Sequence, residues 1–203
     1  MNIDHLVQHY DLRREQVFSK NLPDLISLWN EKEEMRNIIY DELINENSII
    51  AEVGVRLGEN ACMMAVRNPK KIYLIDPWIR QSGYPHHSKN DEFYKTVSNV
   101  FRSCKNVRIL RQKSKIAAKS FPENFFDIVY IDSGHTFEDV SRDFFAWLPK
   151  VKEGGFIIGD DYFGHKNPDK RVKWALHNYG VIEAVANFLK NSNFEVYKSE
   201  KLN

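Results

Sequence analysis

The stretch Ile49-Ile50-Ala51-Glu52-Val53-Gly54-Val55-Arg56-Leu57-Gly58-Glu59-Asn60 decides the fold. Its first five residues are apolar and β-branched apart from one acid, the pattern of a short strand buried on both faces. The chain then meets two glycines, where the backbone can turn sharply and approach a ligand closely before a helix begins. Strand, glycine turn and helix in that order make the first unit of a parallel sheet covered by helices.

Working outward, Ile72 to Ile75, Val107 to Leu110, Phe126 to Ile131 and Phe156 to Ile158 repeat the short apolar pattern. Asn60 to Arg67, Lys89 to Ser103, Lys115 to Phe121 and Thr136 to Leu148 are long enough to be the crossover helices between them. Thr136 with Asp139 three residues later predicts a helix start, Pro149 a helix stop, and Val140, Phe144 and Trp147 one apolar face. A last helix is expected over Val181 to Leu189 and a final strand over Phe194 to Tyr197. The fold class is therefore α/β: a Rossmann-like, doubly wound and mainly parallel sheet of about five strands plus one. Ahead of it, residues 1–45 form a helical extension in which Leu25, Leu28, Trp29, Ile38, Ile39 and Leu43 lie among charges, with Pro23 interrupting, and two or three short amphipathic helices are expected. Residues 46–203 form the main domain, and the whole is one compact unit.

Composition excludes several classes. Lys and Arg number 29 against 28 Asp and Glu, so no global field exists to hold a polyanion, and neither nucleic acid nor a membrane is an expected partner. No apolar run approaches a bilayer span. Cys62 and Cys104 are too few for a disulfide framework and read as buried free thiols, which suits a reducing cytoplasm.

Ligands of such sheets bind beyond the carboxyl ends of the strands, at the point where strand order reverses. There the first strand offers Glu52, Gly54 and Gly58. The glycines are four apart with Arg56 where a dinucleotide fingerprint needs its second glycine, which disfavours a nicotinamide cofactor. The second strand ends in Asp76-Pro77-Trp78, a carboxylate suited to a ribose diol and a ring suited to flank adenine. The fourth and fifth end in Asp132-Ser133-Gly134-His135 and Gly159-Asp160-Asp161-Tyr162. If those strands are neighbours, their ends lie about 5 Å apart, and three ionised carboxylates so close call for a shared proton or a bound cation such as Mg²⁺, Ca²⁺ or Mn²⁺. The alternative is that these residues cap the turns that follow. His135 and His165 stand just beyond, as bases for a substrate hydroxyl or as solvated loop residues. His86-His87, near Gly83 and Pro85, is no metal signature, and the basic run Lys166, Lys170, Arg171 and Lys173 is a solvated face or a contact for an anionic substituent.

Taken together, Glu52-x-Gly54-x-x-x-Gly58, Asp76-Pro77-Trp78, Asp132-x-x-His135 and Gly154-Gly155-x-x-x-x-Asp160-Asp161-Tyr162 resemble the class I S-adenosylmethionine-dependent methyltransferases from about Ser48 to Leu189. The nearest branch contains small-molecule O-methyltransferases, both catechol O-methyltransferase-like and the metal-dependent sugar O-methyltransferases of macrolide pathways. The resemblance implies S-adenosyl-L-methionine as cofactor, with Glu52, Gly54 and Gly58 around its methionine end, Asp76 on the ribose, and Trp78 and Lys113-Ser114 near adenine. It implies Asp132, Asp160 and Asp161 as ligands of Mg²⁺ or a similar cation, with Asp132 also beside the cofactor. His135, His165 and Asp160 would carry the catalysis of methyl transfer to an acceptor hydroxyl. The acceptor implied is a small molecule such as a sugar, natural product or anionic compound, and the oligomeric state is open. The rival functions are a cofactor-binding module without transfer activity and a metal-dependent hydroxylase-like relative of the same fold.

Overall fold

The computed structural model describes residues 23–79, 90–162 and 179–197 together with Leu6 and Gln8, with side chains of the first helix from residue 33 onward. Helix α1 (Pro23–Leu43) is followed by β1 (Ile49–Val53), α2 (Glu59–Ala65), β2 (Lys71–Ile75), α3 (Asn90–Val100), β3 (Val107–Leu110), α4 (Ser114–Ala118), β4 (Phe126–Ile131), α5 (Phe137–Trp147), β5 (Val151–Gly159) and α6 (Val181–Lys190). All four strand pairings are parallel and the order is β3-β2-β1-β4-β5, so the chain reverses direction across the sheet between β1 and β4. This is the Rossmann-like arrangement expected from the alternating pattern.

The period-two alternation of the strands divides the core between two faces. Ile50, Ile72, Leu74, Ile128 and Tyr130 pack with Tyr40 and Ile44, the end of α1, and with α2 and α3 residues including Met64 and Val97. Ala51, Val53, Ile75, Val129 and Ile131 pack instead with Ala117, Val140, Phe144, Trp147 and Ala184 from α4, α5 and α6. Glu52 shares the parity of Ile50 and is carried into the first of these layers, the one capped by α1.

One expectation changes and another is met only in part by the described residues. A helix of 21 residues begins at Pro23, within the extension expected to hold two or three short ones, and the rest of that extension apart from Leu6 and Gln8 lies outside the described residues. Proline is favourable in a first helical turn because its missing N–H has no partner to lose there, so it starts this helix instead of breaking it. Phe194 to Tyr197 forms no strand. Its side chains make the contacts: Phe194 meets Phe188 of α6 at 5.5 Å, Tyr197 meets Phe156 of β5 at 5.2 Å, and the Tyr197 hydroxyl donates to Glu42 on α1. Among the described residues the sheet therefore ends at β5. No helix among them is long and apolar enough to cross a membrane.

Helix α5 starts as its sequence promised, with Thr136 Oγ1 accepting from Asp139 N at 3.1 Å. Its apolar face also carries an acid. Asp143 is buried and accepts from the hydroxyls of Ser114 and Ser133, while Trp147 Nε1 donates to Ser114 Oγ at 2.8 Å. Burial pushes the Asp143 carboxyl up, and the two hydroxyls draw it back. The network ties α5 to the start of α4 and to the loop that follows β4. Asp143→Ala would strand both hydroxyls and should lower stability by about 2 kcal/mol, read as a shifted urea midpoint at neutral pH.

Candidate functional site

The loop after β1 is set by a close approach. Gly54 has φ +92, and a Cβ there would stand 1.9 Å from the carbonyl oxygen of Asp132, so only glycine lets the ends of β1 and β4 come together. Asp76, just past β2, then pins the loop. Its Oδ2 accepts from Val55 N and Arg56 N at 3.0 Å each, and its Oδ1 from Trp78 N at 2.7 Å. Arg56 holds φ +52, the left-handed conformation that explains why a glycine suits this position. Gly58, at φ +83, precedes α2 and sends its N–H to Val55 O at 2.9 Å.

Asp76 thus serves first as a staple of the loop, with three of a carboxylate's roughly four acceptor positions taken by backbone N–H groups. Trp78, expected as a ring flanking adenine, is turned inward. It is 2 % exposed, its ring lies 5.2 Å from Tyr94 of α3, and its Nε1 donates to Arg56 O at 2.9 Å. The positive φ of Trp78 turns the ring down into the core, where it forms the floor of the loop. Ser114 likewise spends its hydroxyl on Asp143 and Trp147. Lys113 is exposed at the start of α4.

Glu52 is 1 % exposed. Its Oε1 accepts from Asn60 Nδ2 at 3.0 Å, and Asn60 Oδ1 in turn accepts from the Tyr40 hydroxyl at 2.6 Å. Its Oε2 is buried without a hydrogen-bond partner among the described residues. Burial pushes the Glu52 carboxyl well up from its ordinary range, and the Asn60 bond pulls it back down. A buried carboxylate oxygen lacking a donor is costly, and a cationic ligand at this spot would remove the cost. The ammonium of a methionine moiety fits that need, so the residues present suit the cofactor that the sequence implies.

At the neighbouring strand ends, one ligand atom each from Asp132, His135 and Asp161 lie within 4.8 Å of one another. His135 Nε2 is 3.3 Å from Asp161 Oδ2. The loop carrying His135 is braced by the residues before α6: Gly180 N donates to His135 O at 2.9 Å, and Thr136 bridges to Tyr179. Asp160 is not one of these three, although its charge bears on Asp132. Its Oδ2 pairs with Arg36 of α1 at 2.7 Å, and its Oδ1 accepts from Asp161 N at 2.8 Å. Burial, reinforced by the charge of Asp160, raises Asp132 to about 6. Two carboxylates and an imidazole are a donor set that fits one divalent cation, although His135 enters where Asp160 was expected. His165, His86, His87, Gly83, Pro85 and the basic run from Lys166 to Lys173 lie outside the described residues.

The sequence reading passed over Arg36, Tyr40, Asn60 and Asp143. Arg36 and Tyr40 sit four apart, one above the other on a helix face, and Asp143 interrupts the apolar stripe of Val140, Phe144 and Trp147. Both signals were present in the spacing.

Two outcomes follow from these geometries. Asp76→Ala should loosen the loop even without ligand and lower the stability of the protein by about 1–3 kcal/mol, measured by chemical denaturation. The raised Asp132 carboxyl stabilises the fold while it is protonated, and this contribution is lost as pH rises from about 4 through its folded value of about 6. In a chelating buffer, the stability of Asp132→Asn relative to wild type should therefore grow over that window. Parallel curves from pH 4 to 7 would refute the assignment.

Residues 51–162 match the family described as a methyltransferase domain. An uncharacterised protein of Acanthamoeba polyphaga mimivirus is 25 % identical over 148 residues, covering 70 % of this chain, and the chain spans 61 % of the length of that curated relative. Among solved structures, a Staphylococcus aureus protein assigned as a caffeoyl-CoA O-methyltransferase superposes with a TM-score of 0.57 at 14 % identity, over 89 % of this chain and 90 % of its own. A Corynebacterium glutamicum protein gives 0.54 at 15 %, over 92 % and 81 %. A geranyl diphosphate methyltransferase solved with S-adenosylmethionine gives 0.51 at 12 %, over 76 % and 63 %. These likenesses are likenesses of fold. The family match covers more than half of the sequence and includes the Gly54 loop, Asp76 and the carboxylates after β4 and β5, and the chain belongs to the methyltransferase domain family.

Proposed function

We propose that the protein transfers the methyl group of S-adenosylmethionine to a hydroxyl oxygen of a small molecule. The observation that carries this reading is the buried Oε2 of Glu52, without a hydrogen-bond partner among the described residues, one strand away from the Asp132, His135 and Asp161 group. The first suits a cation and the second suits a hydroxyl, and the closeness of β1 and β4 supports reading them as one site. In the reaction the acceptor oxygen forms a bond to the methyl carbon as the carbon–sulfur bond breaks. The sulfonium becomes a neutral thioether, and the hydroxyl proton passes to a base. The sulfonium already activates the methyl group, so the protein's task is alignment and proton removal.

Glu52 holds the methionine end, with Gly54 and Gly58 giving the backbone its close approach, and Asp76 keeps the loop in shape beside the ribose. Asp132, His135 and Asp161 hold the acceptor end. A divalent cation bound by them would lower the pKa of the acceptor hydroxyl. A metal-free reading is favoured by one contact: Arg36 already supplies Asp160 with a positive partner, which reduces the repulsion that a cation would relieve. In that case His135 takes the acceptor proton unaided. Helix α1 bears on both ends through Arg36 and Tyr40 and belongs to the acceptor pocket. A sugar, a natural product or an acceptor with an anionic substituent fits the reading. The absence of a basic excess speaks against a polynucleotide.

Methyl transfer from labelled cofactor to a panel of sugars, catechols and natural-product scaffolds tests the activity, and running it with chelator and with added Mg²⁺ or Mn²⁺ tests the cation. With a cation at the site, chelation abolishes turnover and leaves affinity for S-adenosylhomocysteine within about twofold, since the methionine ammonium gains nothing from a nearby metal. Full turnover in chelator, lost in His135→Gln, selects the metal-free route. Glu52→Gln should weaken cofactor binding at least about tenfold, the scale of a charged hydrogen bond. Unchanged affinity would remove Glu52 from the cofactor site.

A further inference from the structure

Helix α1 precedes the matched family region, yet its Tyr40 is joined to the cofactor acid through a single side chain. Tyr40, Asn60 and Glu52 form a buried chain, with bonds of 2.6 and 3.0 Å, in the layer between α1, α2 and the sheet. The direction of the chain matters. A carboxamide presents an acceptor on one side and a donor on the other. The Tyr40 hydroxyl has a proton to give, and burial holds that proton on the oxygen by raising the phenol far above its usual range. Giving it to Asn60 Oδ1 turns the Asn60 amino group toward Glu52. Glu52 then receives a donor on Oε1, is favoured in its ionised form, and is left with Oε2 as its open acceptor. With the carboxamide reversed, its oxygen would face Glu52, favour the protonated acid and destroy the match to a cation.

We propose that Tyr40 is a positioning residue for the cofactor: from helix α1 it orients the Asn60 carboxamide, and through it Glu52, to receive the ammonium of the methionine moiety. This rests on the reading of Glu52 as the methionine-end acid. The charged groups that bear on Glu52 are Arg36 from α1, Asp132 at the end of β4 and Glu59 at the start of α2. The Tyr40 ring is itself held from the other side, with the Arg67 guanidinium 5.6 Å from its centroid and the ring of Tyr130 at 6.4 Å. Arg67 also bonds Asn37 and Asp41, so the ring is fixed independently of its hydroxyl.

The test compares two probes, S-adenosylhomocysteine and 5′-methylthioadenosine, which share the adenosine and thioether but differ in the amino-acid end. By calorimetry Tyr40→Phe should weaken S-adenosylhomocysteine about tenfold, the scale of one lost charge-assisted bond, and leave methylthioadenosine within about twofold. A role limited to packing would weaken both together. Asn60→Ala cuts the chain in its middle and should give the same split if Tyr40→Phe fails to fold. In a Glu52→Gln background the effect of Tyr40→Phe should vanish, because the relay then has no carboxylate to orient. Arg67→Met, which loosens α1 without touching the chain, should lower stability without splitting the two probes. Equal losses of both probes in Tyr40→Phe, or a full tenfold loss persisting beside Glu52→Gln, would overturn the proposal while leaving the cofactor reading in place. Failure of the wild-type protein to bind S-adenosylhomocysteine would overturn that reading and the proposal with it.

Discussion

The site depends on the missing side chain at residue 54. Because nothing stands between Gly54 and the carbonyl of Asp132, β1 and β4 run together at the point where the strand order reverses. Any Cβ would force them apart. The contact brings the acid of β1 and the acid that follows β4 into one electrostatic neighbourhood, and it fixes the origin of the loop that Asp76 then closes. Helices α1 to α3 and α4 to α6 cover the two faces of the sheet, and on the proposed reading the chemistry lies at the edge where that contact occurs.

Bringing acids together carries an energetic cost, and the structure spreads the remedy over several elements. Glu52 and Asp132 are both raised by burial, the charge of Asp132 raises Glu52 further, and the charge of Asp160 does the same for Asp132. Arg36 reaches in from α1 to Asp160, His135 lies against Asp161, and Asn60 donates to Glu52. Among the described residues, one buried oxygen of Glu52 is left without a hydrogen-bond partner. A protein that leaves buried negative charge unanswered is arranged for a positive ligand. On the proposed reading, the cationic cofactor supplies that answer.

Much of this was legible in the residues. Strands β1, β3 and β4 fall where the apolar runs predict them, because a strand buried on both faces leaves little ambiguity in composition. The strand-end acids were legible too, since the topology of a parallel sheet dictates where functional residues gather. What the sequence could not convey was how each acid is partnered. Arg36 and Tyr40 lie in a segment crowded with charges, where their four-residue spacing puts them on one helix face but does not say what that face meets. Asp160 and Asp161 are adjacent and alike in type, and only the backbone direction sends one toward Arg36 and the other toward His135. Trp78 was read from its place after Asp76, yet a left-handed backbone at that residue buries the ring. Phe194 to Tyr197 has the composition of a strand and lacks the ladder; its aromatic rings meet α6 and β5, and the Tyr197 hydroxyl bonds Glu42 of α1.

Among the described residues, five other than glycine adopt left-handed backbone conformations, and three of them, Arg56, Trp78 and Asp161, belong to the strand-end loops. A glycine at each would relax the backbone at a gain of about 1 kcal/mol or more per site, offset in part by the greater freedom of the unfolded chain. Such residues mark where a search for thermostability would find its easiest substitutions and where those substitutions would be most dangerous. Relaxing Arg56 or Trp78 frees the loop that Asp76 holds, and relaxing Asp161 frees a carboxylate whose direction matters. The tension kept in these loops makes the site a stiff template, and stability added at these three positions would be taken from its rigidity.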